Sequence, residues 1–380
     1  MTGSGTQWLC PDTVFDGGRL VHGLALGVLG GRIAEVRAVA DVPAGAAQRS
    51  IKGLITPGFL DLQVNGGGDV LLNTTPTAAG MARIAATHRR FGTVGIFPTV
   101  ITDAPAVLAA VAEAALEAKG ESGILGLHIE GPHIAVARRG THAENLVRPL
   151  DEATIAIVRR LRDAGIVVMI TLAPEAATHR QIAVLAGMGT IVSLGHTDVT
   201  ADEARAALGA GAMCFTHLFN AMSPMLSRAP GVVGAAINSS AYTGFICDGI
   251  HVADEMVGLA IRARPVADRM FLVSDAMPTV GGLDRFDLYG QEIRLVDGRL
   301  LNPEGSLAGA HVTIAQSVAR LVNVVGIDLA SALRMAVTVP AQLIGRPDLA
   351  RIVGRDVSDL LVLDAGLAVV GRCSDSGQEP

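Results

Sequence analysis

Short apolar runs alternate with longer stretches in which alanine and leucine recur at helical spacing along most of this chain. The runs near 55–63, 93–99, 124–130, 166–172, 190–196, 212–217, 243–248 and 270–275 predict strands buried on both faces. Between them, 76–91, 103–119, 152–164, 177–188, 200–210 and 253–263 read as helices. Asp103, Asp151 and Thr200 are expected to cap three of these. Eight strands in this rhythm predict an α/β chain folded as a (β/α)8 TIM barrel. The flanks differ. Residues 12–40 are short β-like runs broken by turns such as Asp16-Gly17-Gly18 and Gly30-Gly31, and 351–370 is similar, with 359–364 its clearest strand. The two flanks are expected to pair into a small β-sandwich domain made of residues 1–55 plus 345–380, leaving 56–344 as the catalytic barrel. Two unrelated tails are the alternative. Residues 371–380 read as a short, polar, disordered tail.

Composition narrows the class. Half of the 380 residues are hydrophobic and 17% are charged, enough apolar material for a large core. Mean hydropathy is positive, which raises the question of a membrane protein. No apolar run reaches the roughly 18 residues of a spanning helix, and the amino terminus lacks the basic and apolar regions of a secretory signal. The four cysteines, Cys10, Cys214, Cys247 and Cys373, have no ligand-like spacing and read as free thiols in a reducing cytoplasm. A net charge of −6 without a basic run argues against nucleic acid as a partner.

The chemistry appears at the strand ends, which converge on one face of a barrel. The first ends Asp61-Leu62-Gln63-Val64-Asn65 and the third His128-Ile129-Glu130. The fifth ends Gly195-His196, the sixth Thr216-His217, the seventh Asp248-Gly249-Ile250-His251 and the eighth Ser274-Asp275. A lone histidine after an apolar strand is more often a hydrogen-bonded structural residue than a ligand. Two at neighbouring strand ends with a glutamate at a third shift the balance. Glu130, His196 and His217 then read as a hydrolytic metal site of the zinc type, one carboxylate and two imidazoles with an open position. Asp275 could serve as a cap or an ion-pair partner, but at this place it is suited to act as a general base.

Several ordered motifs carry a resemblance. Thr56-Pro-Gly-Phe-Leu-Asp61 with Gln63-Val-Asn-Gly66 is similar to the first-strand signature of the amidohydrolase superfamily. Gly126-Leu-His-Ile-Glu-Gly-Pro132, Arg139-Gly-Thr-His142, Ser193-Leu-Gly-His-Thr197, Thr216-His-Leu-Phe-Asn-Ala-Met222, Asp248-Gly-Ile-His251 and Leu272-Val-Ser-Asp-Ala-Met277 resemble its sugar-phosphate deacetylase branch. The blocks run from residue 51 to about 364. This resemblance implies a metal-dependent hydrolase that removes acetate from N-acetylglucosamine 6-phosphate, built on the barrel and small β domain. It implies that Glu130, His196 and His217 hold the metal. It implies that Asp275 takes a proton from water and passes it to the leaving amine, and that His142 polarises the acetyl carbonyl. Thr141, Asn220, Ala221 and Arg228 would bind the sugar phosphate, with a second phosphate contact from His251 framed by Asp248, Gly249 and Ile250. Leu307, Ala308 and Gly309 would form a loop over the sugar. A homodimer is implied too, with phosphate contacts able to cross between subunits.

Position 63 bears on the metal count. Many amidohydrolases place His-x-His after the first strand; here Gln63 and Asn65 stand instead, and amides are poorer ligands than imidazole. One divalent ion per subunit is expected, zinc first, with iron, manganese or cobalt also able to suit the site. Gln63 marks the side where a second ion would sit. The only lysines, Lys52 and Lys119, lie far from the fourth strand end, which argues against the branch that bridges two metals with a carboxylated lysine. Three rival readings are an N-acetylgalactosamine-6-phosphate deacetylase, another N-acyl amidohydrolase and a non-catalytic sugar-phosphate binding protein.

Overall fold

The structure, a computed structural model, describes residues 6–375. Eight parallel strands pair in chain order: Phe59–Val64, Thr93–Ile101, Leu127–Glu130, Val168–Leu172, Ile191–Leu194, Cys214–Phe215, Tyr242–Phe245 and Met270–Leu272. Their residues are almost all buried, as strands covered by helices on one side and filled on the other must be. The ring comes together at the first and last strand ends. The Asp275 N–H donates to Gln63 O at 3.0 Å, and the N–H groups of Asn65 and Gly66 both donate to Ala276 O at 2.9 Å. Closure therefore falls on the predicted site residues themselves.

The crossover helices follow the predicted spans closely. Helix Glu152–Asp163 turns Ile155, Val158 and Leu161 inward, and Asp151 accepts from the Thr154 N–H at its start. Thr200 and Glu203 form a reciprocal capping box on Ala201–Gly209. Asp103 is not a cap. Helix Pro105–Glu117 starts after Ala104 without a side-chain cap, and Asp103 instead accepts from Asn73 Nδ2 at 2.9 Å.

The predicted strands at the fifth, sixth and eighth positions run two or three residues past the observed ones. The reason is local. His196, His217 and Asp275 have φ values of 48°, 29° and 53°, in the left-handed region that breaks a ladder.

The chain's two flanks share a seven-stranded sheet in which Gln48–Pro57 lies between Gln7–Phe15 and the returning strand Leu360–Leu363. A separate apolar cluster including Leu9, Leu26, Ile33, Ile55 and Leu360 packs there. The expected disordered tail is corrected in part: Val369–Arg372 is a strand and Cys373 is buried, because the strand pairs with Leu360–Leu363. Residues 376–380 of that tail lie outside the described residues. The four cysteines are free. Among the described residues no helix is long and apolar enough to cross a membrane.

One element was not foreseen. After the eighth strand, Arg285–Leu288, Gln291–Val296, Arg299–Leu301 and Leu307–Ala310 form a four-stranded antiparallel sheet. Its Leu288, Ile293 and Leu300 pack with Leu71, Ile101 and Met277 near the strand ends. The supposed loop 307–309 is thus the last strand of this sheet, held where the Ala310 N–H donates to Asp275 O at 3.0 Å.

His88 gives the fold a pH dependence. It is buried on helix Ala78–Arg90 and bonds Gly66 O through Nε2 at 2.9 Å. Burial pushes its imidazole from 6.5 down to about 4. Below 6.5 the unfolded chain takes up a proton that the fold refuses, so stability present above that pH is lost as pH falls towards 4. The loss amounts to up to about 3 kcal/mol. Denaturant midpoints are expected to drop across this window, and His88→Gln to flatten part of the drop. An unchanged slope in that variant would refute the role of His88.

Candidate active site

Glu130 ends the third strand and is 2% exposed. His217 Nε2 lies 2.9 Å from Glu130 Oε1, His196 Nε2 lies 3.2 Å from it, and the two Nε2 atoms are 3.0 Å apart. Three donor atoms meeting in this way approach the spacing, roughly 3.4 Å, between ligands about 2.0–2.1 Å from one tetrahedral ion. Two imidazole nitrogens facing each other need a proton or a cation between them. His196 is prepared for the second role: its Nδ1 faces the Arg138 carbonyl at 2.9 Å, which places the proton on Nδ1 and leaves Nε2 as a lone pair. His217 Nδ1 is buried without a partner among the described residues.

Asp275 sits beside this cluster and is its second carboxylate. Gln63 Nε2 donates to Glu130 Oε1 at 3.0 Å and to Asp275 Oδ1 at 3.1 Å, and Asn65 Nδ2 donates to Asp275 Oδ1 at 2.7 Å. Carboxylate oxygens only accept, so both amides must turn their nitrogens inward. Gln63 therefore presents a donor to the cluster. Burial alone would raise the Glu130 carboxyl, yet the imidazoles of His196 and His217 gathered at its oxygen hold it well below the usual carboxylate range. Burial, and then the charge on Glu130, push Asp275 up to about 6. Among the described residues neither carboxylate meets a lysine or arginine. A buried pair of this kind calls for a cation, and the donor set fits a divalent one.

His142 is buried, with its ring 4.5 Å from that of His196. An imidazole nitrogen of His142 comes within 4.8 Å of donor atoms on Glu130 and His196, which makes it a geometric competitor for the third donor place. His217, at 2.9 and 3.0 Å from the same two partners, approaches more closely.

The remaining predicted residues divide. Asp248 binds its own segment: Oδ1 accepts from the N–H groups of Ile250 and His251, and Oδ2 pairs with His251 Nδ1 at 2.7 Å. Gly249 is left-handed at φ 72°, and a Cβ there would lie 2.0 Å from the Arg320 guanidinium, which is itself paired with Asp254. Thr141 is half-buried beside His142. Asn220 and Ala221 follow His217 directly; Asn220 Nδ2 donates to His217 O at 3.2 Å, and Ala221 O accepts the Thr197 N–H. Arg228 stands apart on the exposed stretch 224–230 and makes no hydrogen bond or ion pair within the described residues.

Several supporting residues have no role assigned from the sequence. Asp61, buried and pushed up to about 7 by that burial, accepts from the Ser274 N–H and positions the strand that carries Asp275. A buried chain joins His128 Nε2 to Thr171 Oγ1 at 2.7 Å, then to Thr216 and Ser193 in steps of 2.6 Å. These polar residues sit at inward strand positions that a packed barrel usually fills with branched apolar ones. The interruption of that pattern was the available signal. Thr102 and Tyr289, which flank His142, had no such signal.

A relative from Shewanella sp. (strain ANA-3), named N-acetylgalactosamine-6-phosphate deacetylase, is 39% identical over 83% of this chain and 80% of its own. One from Haemophilus influenzae, named N-acetylglucosamine-6-phosphate deacetylase, is 33% identical over 83% and 84%. The crystal structure of N-acetylglucosamine-6-phosphate deacetylase from Pasteurella multocida superposes with a TM-score of 0.90 at 33% identity, covering 97% of each chain. The model of the amidohydrolase family matches residues 54–365. A match that runs unbroken through every barrel strand and on to the returning carboxyl-terminal strand makes this chain a member of the amidohydrolase family, whose enzymes are metal-dependent.

Proposed function

We propose that this protein hydrolyses the acetamide of N-acetyl-D-glucosamine 6-phosphate, giving D-glucosamine 6-phosphate and acetate. The observation that carries the reading is the meeting of Glu130, His196 and His217 within 3.2 Å beside a second buried carboxylate, Asp275. Glu130, His196 and His217 would hold one divalent ion, zinc by the preference of such ligands. When bound, such an ion supplies Lewis-acid activation of water and of the amide carbonyl. Asp275, held by Gln63 and Asn65 through one oxygen, keeps Oδ2 free to take a proton from water and to return it to the sugar nitrogen. His142 donates toward the acetyl oxygen. Asn220, Ala221 and the strand Leu307–Ala310 line the sugar.

Arg228 and His251 are assigned to the phosphate. A dianion is best met by charged donors, each contributing about 1.5–3 kcal/mol. The exposed Met225 and Leu226 beside Arg228 support a homodimer in which this segment is covered. Arg228→Ala and His251→Asn are each expected to lower kcat/KM about 10- to 100-fold on the phosphorylated sugar. Activity on the unphosphorylated sugar should hardly change. Equal losses on both sugars would remove the phosphate assignment.

The Shewanella relative's name favours one second reading, the galactose epimer as substrate. Steady-state kinetics on N-acetylglucosamine 6-phosphate and N-acetylgalactosamine 6-phosphate side by side separate the two. A higher kcat/KM on the first supports the proposal; a higher value on the second transfers the function to the epimer.

A further inference from the structure

The rings of His142 and His196 lie 4.5 Å apart at one cluster, tilted by 49°, yet different groups hold their far edges. Behind His196 Nδ1 is a carbonyl, which only accepts. Behind His142 Nδ1, at 2.6 Å, is the Thr102 hydroxyl, which can also donate. Thr102 is fully buried, and among the described residues its Oγ1 has no other partner. A buried O–H left without an acceptor is costly, so its proton belongs on His142 Nδ1. The ring then carries its own proton on Nε2, at the opposite edge. Thus the carbonyl makes His196 a ligand, and the hydroxyl makes His142 a donor.

The place of Thr102 is itself constructed. The Tyr289 hydroxyl donates to Thr102 O, and the Ala143 N–H, next to His142, faces the same phenol oxygen. Tyr289 has φ 55°, a left-handed conformation that a bulky residue adopts only where its surroundings impose it. On the other side, Gly131 has φ 75°, and a Cβ there would lie 2.3 Å from Thr102 Oγ1. Tyr289 comes from the turn between the first two strands of the four-stranded sheet that follows the barrel. That sheet therefore reaches the support of His142 through the Tyr289 hydroxyl.

We propose that Thr102 is a positioning residue that fixes His142 as the Nε2–H tautomer, a donor aimed at the substrate's acetyl oxygen, and that Tyr289 holds Thr102 in place. The donor's target rests on the deacetylase reading; the tautomer does not. In the metal-loaded full-length enzyme, Thr102→Val removes the hydroxyl at nearly constant shape. It should lower kcat about 10- to 100-fold, the range seen when an outer partner of a site residue is lost. KM should move far less and metal content should stay the same. Thr102→Ser should recover most of that loss, and Tyr289→Phe should lower kcat in the same direction. Nitrogen-15 NMR of labelled imidazoles should show His142 protonated on Nε2 in the natural enzyme and a redistributed proton in Thr102→Val.

A Thr102→Val enzyme as fast as the natural one, or a natural His142 protonated on Nδ1, would overturn the proposal. If no amino-sugar phosphate is turned over while the Thr102-dependent Nε2–H signal is present, the tautomer assignment stands and the deacetylase reading fails.

Discussion

Asp275→Asn is expected to bind metal and substrate as the natural protein does and to turn over at least about a hundredfold more slowly. The substitution suits the question because of how Asp275 is held. Gln63 Nε2 and Asn65 Nδ2 both donate to the same oxygen, Oδ1. An asparagine keeps an accepting Oδ1 for both amides and replaces only the free oxygen with nitrogen. The left-handed backbone at 275 is also among those that asparagine tolerates best. Position and packing should survive while the proton acceptor is lost. The loss should appear in kcat, with KM and metal content nearly unchanged. Full activity in this variant would end the assignment of Asp275 as the general base.

Glu130→Gln is expected to have the second large effect, on metal binding. Glu130 Oε1 accepts from Gln63 and contacts both histidines, so a neutral amide there removes the one charge that holds the trio together. Loss of an outer partner typically lowers metal affinity 10–100-fold. Loss of a direct donor should exceed that. Metal analysis after dialysis should give about one ion per natural chain and a small fraction of one for the variant. Thermal midpoints give an independent reading: added metal should raise that of the natural protein through binding to the native state alone, and leave the variant unmoved. Glu130 belongs to the predicted trio and to the alternative grouping with His142 alike, so a variant that retains its metal would remove Glu130 from the donor set and end the assignment.

The barrel was legible because its strands are short apolar runs separated by amphipathic helices with cap residues, as at Asp151 and Thr200. The central cluster was legible because its residues stand at strand ends, where position in sequence translates into position in space. What could not be read is where the backbone departs from its regular course. Nothing in the local sequence announces a left-handed histidine or aspartate, so the predicted strands ran through His196, His217 and Asp275. The sheet after the eighth strand carried a signal that was passed over: Asp297-Gly298, a favoured hairpin pair, stands between the strands Gln291–Val296 and Arg299–Leu301. The support given to His142 by Thr102 and Tyr289 joins residues far apart in sequence and has no local pattern at all. Arg228 shows the opposite limit. A motif match selected it, and a single subunit leaves it on an exposed segment without a partner among the described residues.

The most direct test of the central claim is acetate release from N-acetylglucosamine 6-phosphate by metal-stripped protein, before and after one equivalent of Zn²⁺, with the unphosphorylated sugar run in parallel. The account predicts little release before addition, strong release after it, and a requirement for the phosphate. Release that is indifferent to added metal, or absent with every divalent ion tried, would contradict it.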